Sequence, residues 1–80
     1  MTEKLSAAEY IRKSEEAQLL MAENKIAEEE ILGKLQALGS RSDIDKRWLS
    51  IARTDIERGF MALNRALAEP LMKILSEVEL

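Results

Sequence analysis

Apolar residues recur at spacings of three and four along most of the chain, the period of an amphipathic helix rather than a strand. The pattern is clearest over residues 44–69, where Leu49, Ala52, Ile56, Phe60, Leu63 and Leu67 share one face and read as core. Residues 6–38 behave differently. Ser6-Ala7-Ala8-Glu9 is a capping box, in which the serine oxygen takes the Glu9 amide, so a helix is expected to start there. At 100° per residue, Ala7, Tyr10, Ser14, Ala17 and Met21 fall on one face. Leu20, Ala27, Ile31, Leu35 and Leu38 fall on another, about a quarter turn away. A straight helix cannot bury both against one partner. Either the helix breaks near residues 17–23 or its first half packs on a different subunit, and the break is the favoured reading.

Gly39 suits the end of a helix at Leu38, and Ser42 or Asp43 suits the start of the next. Pro70 is expected to end or kink the helix before it. The expected architecture is therefore all-α within a single domain, residues 1–80. A short N-terminal helix (about 6–20) precedes two longer antiparallel helices (about 22–38 and 43–69), and a tail covers 70–80. The tail carries Leu71, Met72, Ile74, Leu75 and Val78, and it either extends the last helix, folds as its own, or lies across a neighbour. Gly59, in the middle of the last helix, costs about 1 kcal/mol against alanine and marks an expected close approach.

Composition narrows the chemistry. The 80 residues include no cysteine and no histidine. Thiolate nucleophiles, zinc–thiolate clusters and Ser-His pairs are excluded, and no carboxylate metal motif stands out. The chain is expected not to be an enzyme and to need no metal or cofactor. Apolar residues make up 46% and charged residues 34%, with no run of about 18 apolar residues that could span a membrane. The start, Met1-Thr2-Glu3-Lys4, lacks the apolar segment of a signal peptide. Chains of this length often need a staple to hold a small core, and oligomerisation is the one left.

Charge is uneven. Residues 1–30 hold eight acids against four bases, and residues 41–65 hold six bases against four acids, within a chain of net charge −3. A polyanion such as duplex DNA is a poor partner for that balance, whereas a small anion in a local arginine pocket is not. The run Glu28-Glu29-Glu30 reads as a solvated face. Arg47, Thr54, Arg58 and Arg65 lie within about 40° on the far side of the last helix, flanked by Ile51 and Met61. Two readings stand: a salt-bridge lattice with stray apolar residues, or an interface that also holds an anion. Phe60 points to the core and Trp48 to its edge. Tyr10 either packs or stacks on a base.

Residues 45–70 carry Asp45, Arg47-Trp48-Leu49, Ile51, Thr54-Asp55-Ile56, Gly59-Phe60-Met61-Ala62-Leu63, Arg65-Ala66, Ala68 and Pro70. This stretch resembles the phage anti-CBASS proteins, the cyclic-oligonucleotide sponges, and a looser likeness runs from Tyr10 through Ser14, Glu16, Leu20 and Met21 to Lys25. The resemblance implies small all-helical protomers in compact, typically hexameric oligomers. It implies capture of cyclic dinucleotides and trinucleotides without cleavage, in the cytoplasm of the infected bacterium, suppressing CBASS immunity. It further implies that Tyr10 stacks on a base of a cyclic dinucleotide, that Lys25 pairs with its phosphate, and that Arg65 serves a cyclic trinucleotide. Family members often carry glycine and arginine around that tyrosine. Glu9 and Ile11 stand there in this chain, with Arg12 as the substitute cation. Sites are expected at subunit boundaries, because one small hairpin offers no enclosing pocket. The rival readings are a purely structural helical assembly and a protein–protein inhibitor docking through Ile51, Met61 and the arginines.

Overall fold

The computed structural model describes residues 6–78, so the readings made on residues 1–4 and on the last two residues of the tail lie outside it. Two helices, α1 (Ala7–Gly39) and α2 (Lys46–Leu75), form an antiparallel hairpin about 58 Å long. Ser6 caps α1 as its sequence predicts, its hydroxyl oxygen accepting from the Glu9 amide at 3.2 Å. The end of α1 departs from expectation. Gly39 remains helical, and no described glycine has positive φ. The last carbonyls are met instead by donors from the turn. The Ser40 hydroxyl donates to Ala37, the Arg41 amide donates to Leu38, and the Lys46 ammonium donates to the Gly39 and Arg41 carbonyls.

α2 starts at Lys46, not near residue 43. Its N-cap is Asp45, which accepts from the Trp48 amide at 3.1 Å. Asp43 is occupied elsewhere: Arg41 donates to both of its oxygens, at 2.9 and 2.7 Å. That guanidinium holds the Asp43 carboxyl below the usual carboxylate range and raises the Arg41 pKa in turn.

The expected break in the N-terminal half is absent, and α1 is one helix of 33 residues. About half of the quarter turn between its two apolar sets comes from reading them on a wheel of 3.6 residues per turn. A helix seam with a seven-residue repeat drifts by about 20° per heptad on that wheel. Between the centres of the two sets, a little over two heptads apart, the drift sums to about 45°. The rest arises because Leu20 and Ile31 do not join the seam but are exposed, 46% and 38%. Burial follows the seven-residue repeat. Tyr10, Ser14, Ala17, Met21, Asn24 and Glu28 recede from solvent at alternating intervals of four and three, and Leu32, Leu35 and Leu38 carry the stripe to the turn.

The first half of α1 finds its partner in the same chain because α2 does not stop at Pro70. The helix runs through the proline to Leu75, so of the three readings of the tail the structure takes the first, an extension of the last helix by six residues. Proline removes one helical hydrogen bond, that to the carbonyl of residue 66, at a cost of about 3 kcal/mol. Pro70 and Ala66 are both exposed, so water can take that carbonyl. Beyond the proline, Leu71, Ile74 and Val78 turn inward to the level of Ala17, Ser14 and Tyr10. A helix ending at residue 69 would leave those positions with nothing opposite.

The seam is thin. Among the described residues only Ala17 and Leu35 are buried, each 8% exposed, and no side chain is fully enclosed. Phe60, Ile56, Leu49 and Leu67 are half-buried as expected, but Ala52 and Leu63 face solvent. Trp48, expected at the core's edge, is 67% exposed. A Cβ on Gly59 would meet nothing within 4 Å, so no close approach occurs there inside the hairpin.

Candidate ligand-binding face

A polar crossing midway along the seam organises the candidate residues. The Asn24 side-chain amide donates to the Asn64 side-chain oxygen at 3.0 Å, partly buried, midway along the hairpin. Lys25 follows Asn24 and Arg65 follows Asn64, so the two cations stand at one height. Each is rotated about 100° from the seam. Because the helices are antiparallel, those rotations carry both residues to the same side of the hairpin. Both are exposed, and each is held by an acid one turn on: Lys25 by Glu29 at 3.8 Å, and Arg65 by Glu69 at 2.6 Å. Exposed pairs of this kind are worth at most about 1 kcal/mol, so an incoming phosphate can displace either glutamate.

Tyr10 lies far from both cations. Fifteen residues separate it from Lys25, about 22 Å at 1.5 Å per residue. It is half-buried on the seam near the open end of the hairpin. Arg12 is exposed about 200° further round α1 and points away from the seam. The structure thus brings Lys25 and Arg65 together and leaves Tyr10 and Arg12 apart from them within one protomer.

The arginine face of α2 is not a salt-bridge lattice. Among the described residues, Arg65 is the member of that face that pairs with an acid, while Arg47 and Arg58 make no ion pair. The Thr54 hydroxyl donates to the Ser50 carbonyl. Ile51 and Met61 stand exposed among these cations, Met61 by 65%. Cationic groups and uncovered apolar surface therefore occupy one side.

Concavities are shallow. An open cleft of about 390 Å³ beside the turn is lined by Leu35, Gln36, Gly39, Lys46, Leu49, Ser50 and Arg53, with Lys46 already bonded to carbonyls. An apolar dimple of about 210 Å³ lies over Ile56, Gly59, Phe60 and Leu63. Among the described residues, no group of three acids or other ligating side chains could hold a metal, and no helix is long and apolar enough to cross a membrane. Sequence reasoning missed Asn24 and Asn64. Their signal was positional: each occupies a seam position between apolar neighbours.

Residues 5–68 match the family model described as the hairpin domain of Acb2/Tad1. No curated protein and no solved structure matches the chain.

Proposed function

Because the chain belongs to the Acb2/Tad1 hairpin family, the anti-CBASS cyclic-oligonucleotide sponges, we propose that it sequesters cyclic dinucleotides, cyclic trinucleotides or both, and returns them uncleaved. The observation that carries the reading is the family match itself, which spans most of the chain and includes Tyr10, Lys25 and Arg65. Held ligand would be withheld from the effectors of CBASS immunity in the infected bacterium.

The hairpin's physics supports a site shared between protomers. A cyclic oligonucleotide presents several phosphates and several stacking faces. One hairpin keeps its tyrosine about 22 Å from Lys25, so a single copy cannot offer both to one small ring. A symmetric oligomer, with a hexamer as the family's usual form, places one protomer's Tyr10 against another's Lys25. Its contacts would also cover the exposed Ile51, Met61 and Trp48. Arg65 is assigned to the cyclic trinucleotide, with Arg12 at the rim of the tyrosine site.

Calorimetry with a panel of cyclic di- and trinucleotides, followed by chromatography of the released ligand, tests the reading. Binding with intact ligand recovered is the expected result. No heat across the panel, from a protein of defined oligomeric state, would leave a structural assembly or a protein inhibitor in its place.

A further inference from the structure

We propose that Asn24 and Asn64 are positioning residues: their hydrogen bond locks the axial register of the hairpin and thereby holds Lys25 and Arg65 level on one face. For ligand binding the proposal rests on the function above; for the geometry it does not.

The bond joins residues 40 apart. The sequence repeats around it at the same offset. Met21-Ala22, Asn24-Lys25 and Glu29 recur as Met61-Ala62, Asn64-Arg65 and Glu69. The ion pairs repeat too, Lys25 with Glu29 and Arg65 with Glu69. In an antiparallel pair, equal offsets across a central bond define a local two-fold axis through that bond. Lys25 and Arg65 are mates across it. Packed helix axes lie about 8–10 Å apart, so the two backbones stand about that far from each other.

The turn sets the register at one end, where Lys46 binds the Gly39 and Arg41 carbonyls, but the apolar seam beyond it does not renew that alignment. Ala17, Met21, Leu67 and Leu71 can each pack against any of the others. A slip of one heptad would set Asn24 against Leu71 and Asn64 against Ile31 in one direction, or Asn24 against Glu57 and Asn64 against Ala17 in the other, and would break the amide pair either way. A polar pair at a seam position trades stability for a single alignment. The two cations inherit that alignment, since each follows its asparagine directly.

The chain has no cysteine, so Lys25→Cys/Arg65→Cys gives two clean spin-label sites, measured after dilution with unlabelled protein. One narrow intramolecular distance is expected. Adding Asn24→Leu/Asn64→Leu should broaden or shift that distance while the melting temperature holds or rises, and Asn24→Ser/Asn64→Gln should restore it. In the chain that keeps Lys25 and Arg65, the leucine pair should weaken binding of cyclic di-AMP or cyclic tri-AMP about tenfold without loss of stability. An unchanged narrow distance in the leucine pair overturns the proposal. A wild-type chain that binds neither probe removes the proposed function, while the distance measurement still decides the register.

Discussion

Lys46, the first residue of α2, reaches back across the turn and donates to the carbonyl of Gly39, the last residue of α1. One ammonium thus meets an orphan carbonyl, sits at the negative end of the α1 dipole and ties the two helices at the turn. Lys46→Met keeps the aliphatic stem and removes those contacts. The expected cost is about 1 kcal/mol, read as a fall of about 5 °C in the melting temperature at fixed protein concentration. An unchanged melt would show that solvent serves the carbonyl equally well.

Pro70 costs α2 a hydrogen bond that the packing of Leu71 and Ile74 offsets. Pro70→Ala should stabilise the chain, by up to about 3 kcal/mol. Leu71→Ala should do the reverse, and its effect should concentrate at the open end. Hydrogen exchange of the amides from Tyr10 to Ala17 should accelerate while those near Leu35 stay protected. Uniform acceleration would contradict the pairing of these segments.

Gly33 and Gly59 both have free space where a Cβ would stand. Within an isolated hairpin, either replaced by alanine should gain about 1 kcal/mol. Only Gly59 borders the apolar dimple with Ile56, Phe60 and Leu63. If a neighbouring chain fills that dimple, Gly59→Ala weakens self-association while Gly33→Ala leaves it intact. Analytical ultracentrifugation of the two variants separates these cases.

Glu69 competes with any phosphate for Arg65. Glu69→Gln removes the competing charge, and affinity for a cyclic trinucleotide should rise by about two- to fivefold, an effect on the scale of an exposed ion pair. The gain should shrink in high salt. Arg65→Ala should abolish that binding, and Lys25→Ala should affect the cyclic dinucleotide. A calorimetric series across these three variants distinguishes the two cations.

Local chemistry was legible in the residues, and long-range geometry was less so. The capping box at Ser6 and Glu9 and the half-burial of Ile56, Phe60 and Leu67 follow from spacing alone. The continuity of α1 did not, because a fixed 100° wheel turns a seven-residue seam into two apparent faces. Pro70 left the course of the tail open for a related reason: its local cost is certain, but the compensation lies with Ala17 and Ser14, more than fifty residues away in sequence. Lys25 and Arg65 were each singled out by resemblance as candidates. That they share one height depends on a bond between two asparagines, which no pattern of apolar residues announces.

The thinness of the seam has a consequence for what unfolding can report. With two buried side chains and no enclosed one among the described residues, a solitary hairpin would fray inward from its open end, each turn giving way nearly independently of the next. Its thermal profile would be a slope without a knee. A sharp, cooperative transition in this protein would therefore measure the contact between chains rather than the fold of one, and it should move with dilution.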